Sequence, residues 1–387
     1  MYTIKTLNPI SPNGLSRLPD AIYALDAETD SPDAILVRSA KMHEMSVNSN
    51  LLAVGRAGAG TNNIPIDQLS QHGVVVFNAP GANANAVKEL VIAGMLMSVR
   101  NLAEANAFVS QLDKADAELD RKVEGGKKKF VGSELGGRTL GVVGLGAIGV
   151  KVANAAKALG MRVLGFDPHM TIEGAWQLSS DVDKAGSLNE LYAQSDFVSF
   201  HVPLNPATRG LYAQASLAVA KPGQVLLNFA RDGIVAAEAL QEGLASGAIV
   251  RYITDFPAAD LIGHSKVLSF PHLGASTHEA EENCAVMVVD QLREFIENGN
   301  VINSVNFPNM RLAREGHQRI CIANSNKPNM IGQLSHVIGE SEVNITQMHN
   351  ASRGDYAYNI VDVDAPVGDD LIEGLRAIDG ILSVRVI

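Results

Sequence analysis

The chain has 387 residues, enough for two or three buried cores at about 100 to 200 residues per domain. Its 31 Lys and Arg against 42 Asp and Glu give a net charge of -11, which repels polyphosphate backbones and anionic bilayers and argues against nucleic-acid and membrane partners. A composition 46% hydrophobic and 19% charged excludes a disordered chain or a coiled coil, and no apolar stretch approaches the roughly 18 residues that span a bilayer. The opening MYTIKTLNPISPNGLSR lacks an apolar secretory core, and Cys284 and Cys321 lack metal or redox spacing, so a cytoplasmic protein without a metal is expected. With 35 Gly and only 5% aromatics, an α/β fold with tight strand-to-helix turns is favoured.

In chain order, apolar runs at 34–37, 51–54 and 74–77 predict parallel strands, each followed by a turn-forming segment. Residues 86–112 hold no Pro and a single Gly and predict one long helix. The charged stretch 113–134 reads as a solvated connection. Strand signals at 140–143, 162–166, 197–201, 225–228, 252–254 and 267–270 then alternate with helical segments at βαβ spacing, predicting a second, larger parallel sheet. A long helix at 279–297 follows, able to return the chain to its first domain. Beyond residue 317 the rhythm becomes strand 319–323, helix 330–339, strands 343–348 and 357–363, helix 369–378 and strand 382–387. That order, βαββαβ, is ferredoxin-like, and about seventy residues make so small a core that it should pair with a copy of itself or pack on the main body. The expected domains are therefore 1–97 with 280–310, 98–279, and 317–387.

The most specific local motif is Gly144-Leu145-Gly146-Ala147-Ile148-Gly149. It follows an apolar strand and opens a helix, and the next strand ends in Asp167, a context that makes it a dinucleotide fingerprint. The first glycine permits the turn, the second lets backbone approach a pyrophosphate, and the third lets helix and sheet pack closely. The helix N-terminus faces the anion, while Asp167 would bond ribose hydroxyls and repel a 2′-phosphate, so NAD is expected rather than NADP.

Ligands of open parallel sheets sit beyond the carboxyl ends of the strands. The residues just past those ends are Gly144, Asp167, His201 with Val202 and Pro203, Arg231, Asp255 and Asp260, and His272. Interconverting a 2-hydroxy and a 2-keto acid requires a cation for the carboxylate, a proton carrier at the oxygen, and an acid to hold that carrier. Arg231 offers a planar fork for a carboxylate, His272 an imidazole that exchanges protons near neutral pH, and Asp260 is the candidate acid partner.

Several segments in order resemble the D-2-hydroxyacid dehydrogenase family, in its phosphoglycerate dehydrogenase branch with a C-terminal ACT module. They are VRSA at 37–40, GRAGAGTNNI at 55–64, NAPGANANAVKEL at 78–90, TLGVVGLGAIG at 139–149, NFARDGIV at 228–235, PHLGAST at 271–277 and NSVNFP at 303–308. The resemblance implies a flavodoxin-like substrate domain, a Rossmann NAD domain and a ferredoxin-like ACT domain. It implies NAD-dependent oxidation of 3-phospho-D-glycerate to 3-phosphohydroxypyruvate, the entry to serine synthesis, by a homodimer or homotetramer. The alternatives are a glyoxylate or hydroxypyruvate reductase on the same fold, or a non-enzymatic NAD-responsive regulator.

Residue by residue, the resemblance places the substrate-binding Arg on Arg231 and the acid-base His on His272. Cofactor contacts fall on Gly144, Gly146, Ala147, Ile148, Gly149, Asp167, His201, Val202, Pro203, Thr208, Ala230, Arg231, Asp255, His272 and Gly274. Substrate contacts fall on Arg56, Ala57, Gly58, Asn78 and Asn83, with Arg231 and His272; Arg38 is a further cation at a strand end. The family's catalytic Glu aligns with Ala259 when Phe256-Pro257 is matched and with Asp260 when counted from Asp255, while Asp255 could instead contact the nicotinamide amide. In the terminal module Asn324, Asn326 and Asn344 fall where an amino-acid effector such as serine would be held between paired copies. There Asn324 stands where His is frequent, and Asn329 where Gly is usual.

Overall fold

The computed structural model describes residues 1–387 as two compact units, Met1–Asn83 with His278–Ile387, and Ala84–Thr277. In the first unit, strands β1 (Tyr2–Thr6), β2 (Tyr23–Leu25), β3 (Ala34–Val37), β4 (Ala53–Arg56) and β5 (Val75–Phe77) form a parallel sheet in the order β2-β1-β3-β4-β5. That is the flavodoxin-like winding. Strand β3 is AILV with all four residues buried, the continuous apolar run of a strand covered on both faces. Strands β1 and β2 escape sequence reading because β1 buries only Ile4 fully and β2 is a three-residue edge.

The second unit carries β6 (Thr139–Val143), β7 (Arg162–Phe166), β8 (Asp183–Lys184), β9 (Phe197–Phe200), β10 (Gln224–Asn228), β11 (Ile249–Thr254) and β12 (Val267–Ser269). They form one parallel sheet in the order β12-β11-β10-β9-β6-β7-β8, a Rossmann winding whose order reverses between β6 and β9. The two-residue β8 carries no apolar signal and was not expected.

Packing corrects two expectations and qualifies a third. The helix predicted over 86–112 is two helices, Ala84–Arg100 and Leu102–Ser110, because Asn101 adopts a left-handed φ of 50° between them. Arg251 donates to Asn101 Oδ1 at 3.3 Å and to Glu104 at 2.9 Å across that break. The first of these helices belongs to the second unit rather than ending the first domain at residue 97: Val87, Val91, Met95 and Val99 share a core with Leu140, Phe229 and Ile253. The charged 113–134 stretch is exposed over most of its length, as a solvated connection should be, but it is folded rather than irregular. It holds the helix Leu119–Gly126 and a 3-10 turn Lys127–Phe130, and Phe130 packs on Phe108 with ring centroids 5.5 Å apart.

The bridge helix His278–Asn298 then opens the second segment of the first unit, its buried face of Ala285, Val288, Val289, Leu292, Phe295 and Ile296 lying in that unit's core. Strands β13 (Gln318–Ser325), β14 (Ile345–Arg353), β15 (Tyr356–Val363) and β16 (Ile381–Val386), with helices Met330–Glu340 and Asp369–Arg376, make the expected βαββαβ module. Its antiparallel sheet runs β14-β15-β13-β16. One face packs on the two helices through Ile320, Ile322, Val361 and Val363. The other, through Cys321, Ala323, Tyr358 and Ile360, joins Phe295 and Phe307 in the core of the first domain. Of the two expected ways to complete this small core, packing on the body is the one seen within the chain. No helix of the structure is long and apolar enough to cross a membrane.

Candidate active site

The carboxyl ends of the second unit's strands carry the expected residues in spatial order. Reading across the sheet from β7 through β6, β9, β10 and β11 to β12, the residues past the ends are Asp167, Gly144, His201, Arg231, Asp255 and His272. Neighbouring strands lie about 4.8 Å apart, so six consecutive strands form a ledge of roughly 24 Å.

At the reversal of strand order, Gly144 has φ +90°, and a Cβ there would meet His201 O at 2.7 Å. Gly149 lies against the same turn, its absent Cβ only 1.9 Å from Gly144 O. Gly146 differs: nothing lies within 4 Å of where its Cβ would be, and it stands at the N-terminus of the helix Ala147–Ala158 with no side chain capping the helix. Ala147 and Ile148 contribute the first-turn N–H groups, so the sequence leaves open, donor-rich space where a pyrophosphate fits. Asp167 accepts from Leu145 N–H at 2.8 Å through Oδ2 and from His169 N–H at 2.8 Å through Oδ1, which ties the carboxylate to the glycine turn and leaves further lone pairs for ribose hydroxyls. The residues present fit a dinucleotide.

Burial pushes the His201 imidazole down to about 3, so the ring is neutral; Nε2 lies 2.9 Å from Ser199 Oγ and Nδ1 is buried without a partner. Val202 packs in the unit's core, and Thr208 donates to Pro203 O at 2.5 Å, closing the 203–208 turn.

Arg231 is exposed, its Nη1 donating to Ala230 O at 2.6 Å. Its loop is braced by Asn228, whose Nδ2 donates to Arg231 O at 2.9 Å and whose Oδ1 accepts from Ala230 N–H at 3.2 Å. Asn228 is buried, and sequence reading gave it no role although it begins the NFARDG run. A polar amide at the end of an otherwise apolar strand was the available signal.

His272 is exposed and left-handed, with φ 50°, and its ring meets Phe256 edge-on at 5.0 Å. Its N–H donates to Asp255 O and to Phe270 O, both at 3.0 Å. Asp255, 1% exposed, accepts from Gly274 N–H through Oδ2 at 3.0 Å. Burial raises the Asp255 carboxyl above its ordinary range, against the opposing pull of the Gly274 N–H and of His272 and Arg231. Asp260, the expected acid, is turned elsewhere: its Oδ2 accepts from Gln241 Nε2 at 2.7 Å. The acid brought to the His272 loop is Asp255.

In the first unit, Arg56 leaves β4 and donates through Nε to Arg38 O at 3.1 Å. A Cβ at Gly58 would sit 2.1 Å from Arg56 Nη1, so glycine is what lets the guanidinium lie across this turn. Ala57 is buried and bonded to Val37 O. The Arg38 guanidinium pairs with Glu281, Asn78 Nδ2 donates to Ala59 O at 2.6 Å, and Asn83 is half-buried.

In the terminal module, Asn324 is buried, donating to Ser325 O and accepting from Asn359 Nδ2, both at 2.7 Å, and Asn326 Nδ2 donates to Gly354 O at 3.0 Å. Asn344 precedes β14 at the opposite end of the sheet, since Ile345 and Gln318 both register with Val363. Within one chain these three residues do not converge.

The D-isomer specific 2-hydroxyacid dehydrogenase, NAD binding domain, matches residues 92–280. The D-3-phosphoglycerate dehydrogenase of Escherichia coli K12 is 32% identical over 350 residues, covering 87% of this chain and 82% of the relative. That of Bacillus subtilis is 35% identical, covering 80% and 60%. Among solved structures, NAD+-bound 3-phosphoglycerate dehydrogenase of Entamoeba histolytica superposes with a TM-score of 0.59 at 25% identity, over 79% of this chain and 98% of that one. D-mandelate dehydrogenase of Rhodotorula graminis, with a TM-score of 0.65 and 23% identity over 79% and 97%, shares the fold.

Proposed function

The chain belongs to the D-isomer specific 2-hydroxyacid dehydrogenases, with the D-3-phosphoglycerate dehydrogenases, and from that premise we propose that it oxidises 3-phospho-D-glycerate to 3-phosphohydroxypyruvate at the start of serine synthesis. It is an NAD-dependent oxidoreductase. Bound NAD supplies the hydride acceptor at C4 of its nicotinamide ring.

The observation that carries the reading is the order of residues along the ledge. An acid for ribose (Asp167), an open glycine turn for pyrophosphate (Gly146), a fork for a carboxylate (Arg231) and an imidazole for a hydroxyl proton (His272) follow one another across the sheet, past the ends of β7, β6, β10 and β12. Arg231 engages the substrate carboxylate bidentately and fixes C2, and His272 accepts the C2 hydroxyl proton as the hydride leaves. In the first unit, Arg56 is the proposed phosphate ligand; Arg38, committed to Glu281, is not needed for that role. The same reading gives a cytoplasmic homo-oligomer with an amino-acid effector held between terminal modules of two copies.

A steady-state assay tests the function: phosphoglycerate-dependent NAD reduction, or NADH oxidation with phosphohydroxypyruvate, against a panel that includes glyoxylate and hydroxypyruvate. Preference for the phosphorylated acids supports the reading, and preference for unphosphorylated ones replaces it with the reductase. Turnover of none leaves only a regulator. His272→Ala should lose most kcat, while Arg231→Ala should also raise KM. Calorimetry of L-serine with the full chain tests the effector, absence of heat ruling it out.

A further inference from the structure

Two cations and one carboxylate meet at the carboxyl end of the first unit's sheet. Strands β3 and β4 are neighbours with Val37 in register with Arg56, so Arg38 and Arg56 leave strand ends about 4.8 Å apart. Arg56 Nε donates to Arg38 O at 3.1 Å, and the Arg38 guanidinium pairs with Glu281 in the first turn of the bridge helix. Beside them, three residues on from Glu281, lies the buried Cys284. Burial raises its thiol above the ordinary range, Arg56 and then Arg38 draw it down, and Glu281 pushes it up, so all three charges act on one spot. The main chain here is fixed. Asn8 Oδ1 accepts from the N–H groups of Arg38, Ser39 and Ala40 at 3.0, 2.9 and 2.9 Å, and Ala57 N–H donates to Val37 O at 2.8 Å. What can turn is the Arg38 side chain, which is 44% exposed beside a partner that is 40% exposed.

An ion pair exposed to this degree contributes little to folding, yet it changes what an incoming anion meets. Arg38, Arg56 and Glu281 together carry one net positive charge. A phosphate ester carries about -1.5 to -2 at pH 7, a charge that two guanidiniums match and one does not. A carboxylate in that cluster repels the same anion and competes with it for Arg38. We propose that Glu281 is a specificity-determining residue: by holding Arg38 it leaves the phosphate to Arg56 and limits how strongly the site prefers a phosphorylated acid over its unphosphorylated counterpart. The proposal rests on the reading of Arg56 as the phosphate ligand and deepens it, because it identifies the group that sets the charge offered to that phosphate.

Glu281→Gln removes the carboxylate charge and keeps its shape, and Glu281→Ala removes the acceptor as well. The preference, kcat/KM for 3-phospho-D-glycerate divided by kcat/KM for D-glycerate, is measured for wild type, both variants and the double variant Arg38→Gln/Glu281→Gln. The expected result is a preference roughly three- to tenfold higher in Glu281→Gln, at least as high in Glu281→Ala, and back at the wild-type level in the double variant. A preference that falls or stays level in both single variants overturns the proposal. So does a gain that survives the loss of Arg38, which would make it a long-range effect of charge. If the wild-type protein shows no preference for the phosphorylated acid, the reading of Arg56 fails, and stabilisation by inorganic phosphate, read as a shift in melting temperature, decides the role of Glu281. That shift should be larger in Glu281→Gln than in wild type or the double variant, and equal shifts in all three overturn the proposal.

Discussion

Arg319 and Asp362 form a fully buried bidentate ion pair, Nε to Oδ1 at 2.6 Å and Nη2 to Oδ2 at 2.8 Å, on the face of the terminal sheet that packs into the first domain. Arg319 also donates to Asn298 O at 2.8 Å, Leu312 O at 3.0 Å and Ala313 O at 3.0 Å, binding β13 to the end of the bridge helix and to the connecting segment. Arg385 adds bonds to Ile296 O and Phe295 O at 3.0 and 2.5 Å. Two cations from one module thus satisfy the last carbonyls of a helix from the other, where the helix dipole favours positive charge. Arg319→Met strands Asp362 without its counter-charge, and urea unfolding should show a loss of about 3 to 5 kcal/mol. A change within about 0.5 kcal/mol, the usual range for surface substitutions, would deny the pair its structural role.

The same pair sets an acid limit. Burial pushes the Asp362 carboxyl up, but Arg319, the Glu315 N–H and Gln347 overcome it and hold the carboxyl below its ordinary 3.8. A carboxyl lowered on folding adds stability that is complete above its unfolded value and disappears as pH falls through the folded one. The urea midpoint difference between wild type and Asp362→Asn should therefore be constant above about pH 5 and shrink below about pH 4. A difference that shrank between neutrality and about pH 6 would point to a histidine instead.

Removing residues 317–387 should not yield a well-behaved catalytic core. Phe295 and Phe307 would lose Tyr358 and Tyr356, their ring partners at 6.2 and 5.6 Å, and an apolar sheet face would be left uncovered. The truncated chain is expected to aggregate or to bind a hydrophobic dye and melt at lower temperature. A soluble truncation with the wild-type melting temperature would show the module to be dispensable for the fold.

The glycines of the nucleotide turn should separate cleanly. Gly149→Ala drives a Cβ against the backbone oxygen of Gly144 and should destabilise the second unit, read as a lower melting temperature. Gly146→Ala meets nothing in the protein and should melt like wild type, yet lose NADH affinity by about tenfold or more in a fluorescence titration, because the methyl occupies the pyrophosphate's approach. Equal NADH affinity in Gly146→Ala would move the cofactor away from this turn.

Asp167→Ala removes both the proposed ribose acceptor and the brace on Leu145 and His169. NAD should bind roughly ten- to a hundredfold more weakly, the loss of charge-assisted hydrogen bonds, while the preference over NADP narrows. Unaltered discrimination between the two coenzymes would remove Asp167 from that role.

What could be read from the sequence alone was what local spacing encodes. A strand, a glycine turn and a helix within a dozen residues identify a phosphate-binding turn, and residues just past apolar runs mark the ligand side of a parallel sheet whatever the strand order. The positions of Arg231, His272 and Asp167 just past their strands, and the βαββαβ rhythm, were accessible on those grounds. The tertiary structure decided what depends on partners far apart in the chain. Two acids five positions apart, Asp255 and Asp260, look equivalent in sequence, but only one is buried against the loop nineteen residues beyond it, while the other meets Gln241. Arg319 reads as an ordinary strand cation until Asp362, forty-three residues on, and the end of the bridge helix enclose it. Burial and long-range pairing arise from the whole chain closing on itself, so no window of sequence contains them.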